Sequence, residues 1–110
     1  MGRIRCGNIY SKILHAKDKE VSKTLMENKK LKIERIVSSG QITEKGKWLK
    51  ETLDEWVIVL QGSGRLRFRK GNRLINLMIG DYVFIPANTF HRVEWTDPKQ
   101  KTVWLAVYSR

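Results

Sequence analysis

The sequence predicts an all-β domain in which short antiparallel strands form a sandwich or a barrel. From Leu31 onward, short stretches rich in apolar and β-branched residues alternate with turn residues. One of these stretches, residues 65–69, alternates strictly between arginine and an apolar residue, as a strand with one apolar face does. The pair Gly71-Asn72 separates two stretches in the way a two-residue hairpin turn would. At 110 residues, the chain is long enough for one domain with a single core.

The first part of the chain, residues 1–30, has a different pattern. Its apolar residues recur at roughly helical spacing, in two groups with a polar stretch between them. The groups are Ile9, Ile13 and Leu14, and then Val21, Leu25 and Met26. The sequence therefore predicts a short N-terminal arm over residues 1–30, helical or irregular, packed on a β-domain over residues 31–110.

The strands of the β-domain follow in order between turn residues. We expect them at residues 31–37, 48–53, 55–61, 65–69, 73–79, 82–85, 90–96 and 102–108. Three stretches, 56–60, 82–85 and 103–107, are apolar on both faces, whereas a half-exposed antiparallel strand would alternate. Such strands need cover on their outer face. We therefore expect a homodimer, and the arm alone is the alternative cover.

The net charge of +11, from 22 Lys and Arg against 11 Asp and Glu, is large for this length. It would attract nucleic acid, anionic lipid or anionic metabolites at low salt. The positive residues are scattered, however, and the densest stripe, Arg65, Arg67 and Arg69, lacks interleaved aromatic residues on its face. We therefore expect no specific nucleic-acid partner. A basic interaction module that binds an anionic partner is one alternative function.

The cysteine and hydropathy patterns bear on location. The single cysteine, Cys6, cannot form an internal disulfide, which suits a reducing compartment. No signal peptide is recognisable, and no apolar stretch approaches the ~20 residues that a membrane helix requires. We expect a cytoplasmic protein with no membrane partner.

The most informative motif runs from Gly80 to Trp95. A glycine, five residues and a proline, Pro86, are followed by a histidine, His91, five positions later. This spacing resembles the second motif of the cupin superfamily, and Glu55, six residues and Gly62 resemble the end of the first motif. A group of small bacterial cupins of unassigned role shares further segments. Here these are residues 33–37, 54–56, 80–87, 91–95 and 102–107.

The resemblance implies a fold and a location for a site. Cupins are double-stranded β-helices, or jelly-roll barrels, so the all-β prediction sharpens to a cupin barrel with an N-terminal arm. Gly62, Gly80 and Pro86 would supply tight turns that aim His91 into the barrel.

Metal-binding cupins hold one divalent ion with two histidines and a glutamate of the first motif and a histidine of the second. Glu55 and His91 match two of these ligands. The paired histidines would fall at Leu49 and Glu51, or at Trp48 and Lys50, and the chain has only one other histidine, His15. The metal site implied by the resemblance is therefore degenerate. We expect His15, in the polar stretch of the arm, to be solvated.

Two hypotheses remain for this site. In one, strand alternation places Glu51, Glu55 and His91 on the same inward face, where they hold Mn, Fe, Ni or Zn. In the other, which we favour, no metal is bound, and Glu55 pairs with Lys50, Arg92 or His91 because a buried carboxylate needs a partner. The cavity would then be lined by Val57, Val59, Phe84, Val93 and Trp95, with Trp95 as a flat wall.

The function that we expect is small-molecule binding in a pocket around Glu55 and His91, with no assigned role. The expected pocket residues are Glu51, Glu55, Val57, Phe84, His91, Val93 and Trp95. A metal-dependent isomerase, dioxygenase or hydrolase acting on a small polar metabolite is the first alternative, and the basic interaction module is the second.

Overall fold

The computed structural model describes residues 2–13 and 19–110. These ranges contain eight strands and one short 3₁₀ turn, Lys70–Asn72, but no α-helix. The strands are β1 Val21–Glu27, β2 Leu31–Ser38, β3 Asp54–Gln61, β4 Gly64–Phe68, β5 Arg73–Leu77, β6 Tyr82–Ile85, β7 His91–Thr96 and β8 Thr102–Ser109. Within the same ranges, no helix is long and apolar enough to cross a membrane.

The strands form two sheets that pack face to face. The larger sheet has the order β1-β2-β8-β3-β6 and the smaller one β5-β4-β7, and every pairing is antiparallel. One core cluster joins the inward residues of both sheets. Its buried members are Val57, Val59, Leu66, Leu77, Ile85, Trp104 and Ala106. The all-β jelly roll expected from the sequence is confirmed.

The predicted N-terminal helix is wrong, because residues 21–27 form β1 at the edge of the larger sheet. The pairing with β2 runs from Val21 opposite Val37 to Glu27 opposite Lys32, with a bulge between Thr24 and Met26. A bulge inserts one residue and inverts the alternation beyond it. Val21 and Met26 therefore reach the same face at a spacing that no regular strand allows, which is why the pattern resembled a helix.

The rest of the arm has no helical segment in its described part. Ile9 lies in a turn that extends to Lys12, and Leu14 and His15 lie outside the described residues. The expected solvation of His15 stays a prediction.

The predicted strand at residues 48–53 shrinks to a single bridge between Leu49 and His91. The backbone nitrogen of Leu49 donates to the carbonyl oxygen of His91 at 2.7 Å, and the reverse bond is 3.0 Å long. This bridge ties the segment before β3 to the first residue of β7. It fixes the backbone on both sides of His91.

The turn between β3 and β4 carries the chain from one sheet to the other. Gly62 in this turn has a φ of 78°, which favours glycine. A Cβ atom at this position would lie 2.7 Å from the carbonyl oxygen of Lys101. Glycine is therefore required here for two reasons, conformation and space.

The N-terminal segment covers part of the outer face of the larger sheet. Arg35, on β2, is only 4% exposed, and its Nη1 atom donates to the carbonyl oxygens of Ile9 and Ser11 at 2.9 and 2.8 Å. The hydroxyl of Tyr10 donates to the carbonyl oxygen of Leu60 at 3.3 Å. Farther along the same sheet, Tyr82 and Phe84 remain 64% and 55% exposed. The segment thus covers one part of this face and leaves another bare.

Candidate functional site

A cavity of about 230 Å³ lies between the two sheets. Its lining is unusually rich in carboxylates, and the described lining residues include no lysine or arginine. The polar side chains of the lining are Glu20, Ser22, Glu34, Glu51, Glu55, His91 and Tyr108. In a chain of net charge +11, the interior of the barrel is therefore an acidic exception.

Glu55 reaches the cavity through the alternation of β3. Glu55, Val57 and Val59 are buried on the inward face, and the residues between them point to the other face. Its neighbours across the sheet are Tyr108 on β8 and Ile85 on β6. Burial, followed by the nearby carboxylates of Glu51 and Glu34, raises the pKa of Glu55 to about 7.

His91, the first residue of β7, is 5% exposed. Its Nδ1 atom lies 2.9 Å from the carbonyl oxygen of Thr89, and a carbonyl can only accept. Nδ1 therefore carries the hydrogen, and a neutral His91 presents the lone pair of Nε2 to the cavity. Nε2 lies 3.9 Å from Oε1 of Glu55.

Glu55 and His91 together form an acid–base pair at this distance. The contact is longer than a hydrogen bond, so a ligand atom or a small movement would be needed to link the two groups. With a pKa of about 7, the carboxyl of Glu55 can donate or accept a proton near neutral pH, and Nε2 of His91 faces it across the gap.

A second carboxylate of the cavity, Glu34, has partners of its own. Lys32 Nζ lies 3.4 Å from its Oε2, and the hydroxyl of Tyr108 donates to its Oε1 at 3.4 Å. Burial and the neighbouring carboxylates raise the pKa of Tyr108, so this hydroxyl stays protonated and remains a donor. Glu34 is thus compensated by a cation, whereas the described lining of the cavity provides no such cation for Glu55.

Two of the three partners expected for Glu55 are engaged elsewhere. Lys50 Nζ lies 5.0 Å from the centre of the Phe90 ring, and Arg92 Nε lies 3.1 Å from Oε2 of Glu94. The pairing of Glu55 with Lys50 or Arg92 is therefore wrong. Of the three, only His91 stands beside Glu55.

The metal hypothesis required Glu51, Glu55 and His91 to converge. All three line the cavity, yet residues 2–13 and 19–110 contain no group of three or more histidine, cysteine or acidic side chains that could hold a metal ion. Leu49, at a position where a metal-binding cupin would have a histidine, contributes an apolar side chain to the lining. The described residues do not fit a divalent-metal site.

Phe84 and Trp95 were expected in the pocket and do not line it. Phe84 is exposed because it alternates with Ile85, which points into the cavity. Trp95 is turned outward by a bulge in β7, since the register with β4 pairs Arg65 with Trp95 but Leu66 with Val93. Without the bulge, Trp95 would lie on the same inward face as His91 and Val93.

Two of the three expected valines line the cavity. Val57 and Val93 line the cavity, as the strand alternation predicted. Val59 is fully buried and belongs to the core rather than to the lining.

The outward turn of Trp95 also changes the surface of the smaller sheet. The expectation of an arginine stripe without aromatic residues is wrong. The guanidinium of Arg65 lies 5.7 Å from the centre of the Trp95 ring, and that of Arg69 lies 4.9 Å from the Phe90 ring. Arg67 Nε lies 3.2 Å from Oε2 of Glu94. Each arginine of the stripe is therefore already engaged by a neighbour.

The sequence prediction missed several lining residues. The most important are Glu34 on β2 and Trp104 and Tyr108 on β8. Alternation alone divides each of these strands into two faces but does not say which face is inward. The register between β3 and β8 identifies the inward face of β8, because Tyr108 pairs with the inward Glu55 and Trp104 with the inward Val59.

The chain matches the family model of the cupin domain over residues 37–108. Its structure is similar to a crystal structure from Ralstonia eutropha of a protein provisionally named a mannose-6-phosphate isomerase. The TM-score is 0.91 and the identity 38%, and the match covers 96% of this chain and 98% of the other. No curated protein matches the chain.

More distant structures share the fold. A cupin superfamily protein from Desulfitobacterium hafniense has a TM-score of 0.73 at 17% identity, with 88% of this chain and 83% of the other covered. An RmlC-like cupin from Shewanella frigidimarina has a TM-score of 0.67 at 18% identity, with 82% and 75% covered. The match to the cupin-domain model over residues 37–108, together with the Ralstonia eutropha structure at 38% identity, shows that the chain belongs to the cupin family.

Proposed function

We propose that this cupin is a small-molecule-binding protein whose ligand lies in the cavity, in contact with Glu55 and His91. The observation that carries the proposal is the state of Glu55. Its side chain is buried, and none of the described residues donates a hydrogen bond to its carboxylate. A ligand that donates to this carboxylate would supply the hydrogen bond that no described side chain provides, and it would stabilise the charged form of a largely buried acid.

The composition of the lining supports the same proposal. Specific pockets combine apolar walls with a few convergent polar groups. Here Val57, Leu66 and Ile85 supply walls, while Glu55 and His91 converge from opposite sheets. The volume of about 230 Å³ lies below the ~300–1,000 Å³ common for ligand pockets, which favours a small metabolite.

Proton-transfer catalysis, as in an isomerase, is a second candidate. It is favoured by the carboxyl pKa of about 7 and by the fixed tautomer of His91. The provisional name of the Ralstonia eutropha relative also indicates an isomerase. In such a reaction, the pair would take a proton from the carbon next to a carbonyl and return it to the carbonyl carbon, while the hydroxyl proton of the first carbon moves to the carbonyl oxygen, with no net redox change. A sugar phosphate is not supported, because the described lining has no cation to bind a phosphate.

The direct test is to extract bound small molecules from the purified native protein and identify them by mass spectrometry. We expect at least one compound that is retained by wild type and lost from Glu55→Gln, which keeps the shape of the side chain. Glu44→Gln is the matched control, since Glu44 is exposed and lies 3.1 Å from Lys47 in a surface ion pair. Equal recovery from all three proteins, or no compound from any, would contradict the proposal.

For location and assembly we propose a cytoplasmic homodimer. A reducing compartment suits Cys6, which is exposed and without a disulfide partner among the described residues. The bare part of the outer face, around Tyr82 and Phe84, offers an apolar surface for a second copy.

A further inference from the structure

The sign of the charge in the cavity is opposite to that of the whole chain. Lysine and arginine outnumber the acidic residues by two to one, with 22 against 11. Among the described residues around the cavity, however, four glutamates contribute to the lining and no lysine or arginine does. The charged side chains of the described lining are therefore all acidic, in contrast to the chain as a whole.

The carboxylates are not equivalent. Glu34 is held by Lys32 and by the Tyr108 hydroxyl, both at 3.4 Å, so its charge is already balanced. Glu55 is 8% exposed, and Nε2 of His91 lies 3.9 Å from its Oε1. The carboxylate faces the cavity, and no described residue donates a hydrogen bond to it. Glu55 is a deeply buried acceptor that lacks a cation among the described residues.

Four kinds of ligand could approach this acceptor. A divalent metal is disfavoured because the described residues form no suitable ligand group. A phosphate or carboxylate ligand would be repelled by Glu55 and Glu51 and would find no lysine or arginine in the described lining. A neutral polyol would supply hydrogen bonds but would leave the charge uncompensated. An organic cation supplies both the hydrogen bonds and the charge.

We propose that the cavity binds a small organic cation, a polar molecule with an ammonium group and no phosphate, and that this group contacts Glu55. This inference rests on the proposed function, since it names the chemical class of the ligand in the same pocket. An ammonium group offers three N–H donors that fit a carboxylate. Tyr108 and Trp104 add aromatic walls to the cavity, and aromatic side chains favour cations.

The experiment compares ligands that share a carbon frame and differ in charge. The amines are 1,4-diaminobutane and glucosamine, the neutral counterparts are 1,4-butanediol and glucose, and the anions are succinate and glucose 6-phosphate. Thermal unfolding of the full chain is followed with each compound at about 10 mM and a pH of about 7.5, above the pKa of about 7 of Glu55. The proteins are wild type, Glu55→Gln and the control Glu44→Gln.

We expect at least one amine to raise the Tm of wild type and of Glu44→Gln by about 3 °C or more. The neutral and anionic counterparts should shift it less, and Glu55→Gln should lose the effect of the amine. Binding of amines to the protein surface would not depend on Glu55.

Two other outcomes overturn the inference, and they have different meanings for the proposed function. If a neutral or anionic compound stabilises the protein as much as its amine, and does so through Glu55, the ligand class is wrong but the pocket binds a ligand. If none of the six compounds shifts the Tm, the inference of an organic cation fails. The extraction of native ligand, which makes no assumption on charge, then decides separately whether the pocket binds a small molecule.

Discussion

The Nε2 atom of His91 lies 3.9 Å from Oε1 of Glu55 across the cavity between the two sheets. The hydrogen on Nδ1 of His91 is committed to the carbonyl oxygen of Thr89, so Nε2 is the atom that meets the carboxyl. These are the two residues that match metal ligands in the cupin resemblance. The protonation state of Glu55 is therefore the first property of the site to test.

The first prediction concerns pH and stability. The pKa of Glu55 is raised from 4.5 to about 7, so the folded state holds a proton that the unfolded state releases. The stabilising contribution is fully present below a pH of about 4.5 and is lost as the pH rises through about 7, by at most about 3 kcal/mol. Urea unfolding between pH values of about 5 and 8 should show this loss in wild type.

The control for this experiment is Glu55→Gln, which cannot titrate. The free energy of unfolding of the variant should depend less on pH, so the variant should gain on wild type as the pH rises. Parallel pH profiles of the two proteins would show that the pKa of Glu55 is not raised in the folded state.

The second prediction concerns metal. We expect the protein, purified without an affinity tag, to carry little or no tightly bound Mn, Fe, Ni or Zn. The reason is that Leu49 contributes an apolar side chain to the cavity, near Glu55 and His91, where a metal would need a ligand. Elemental analysis provides the measurement. Near-stoichiometric metal in wild type that disappears in both Glu55→Ala and His91→Ala would contradict the prediction and favour a metal-dependent enzyme.

The third prediction concerns the N-terminal segment. Arg35→Ala removes the two hydrogen bonds that hold the carbonyl oxygens of Ile9 and Ser11, so we expect faster trypsin cleavage before Ile13. The loss of these buried hydrogen bonds should also lower the free energy of unfolding by about 1–3 kcal/mol. Arg73→Ala, at an exposed position, is the control. Unchanged cleavage in Arg35→Ala would mean that Arg35 does not anchor the segment.

The fourth prediction concerns assembly. We expect sedimentation to give twice the monomer mass of 12.9 kDa at tens of micromolar protein. Tyr82 and Phe84 lie on β6, at the edge of the larger sheet, and the N-terminal segment does not cover them. Phe84→Glu should weaken the dimer by placing a charge in the interface. A wild-type monomer at that concentration would contradict the predicted homodimer.

The fifth prediction concerns nucleic acid. We expect only weak, sequence-indifferent binding that is lost at physiological salt. The three arginines of the stripe on and just after β4 are engaged by Trp95, Glu94 and Phe90, which reduces what they can offer to a phosphate backbone. Titration of a short duplex and a single strand at two salt concentrations tests this. Binding that survives the higher salt and falls sharply when Arg65, Arg67 and Arg69 are all replaced by alanine would favour the basic interaction module.

The sequence by itself determined the fold class and the centre of the site. Short alternating strands predicted the all-β fold, and the spacings around Glu55, Pro86 and His91 indicated a cupin barrel. Alternation within β3 also placed Glu55 and Val57 on one face, because side chains of a regular strand alternate with a period of two. Strand alternation and motif spacing depend only on residues that are close together in the sequence, so the sequence alone is enough to recognise them.

Only the tertiary structure decided the properties that depend on register and on distant segments. The bulges in β1 and β7 inverted the alternation, which made residues 21–27 resemble a helix and turned Trp95 away from the cavity. The pairing of β3 with β8 brought Tyr108 beside Glu55 across more than fifty positions of sequence. A bulge and a register are set by the balance of packing on both faces of a sheet, and no single strand records that balance.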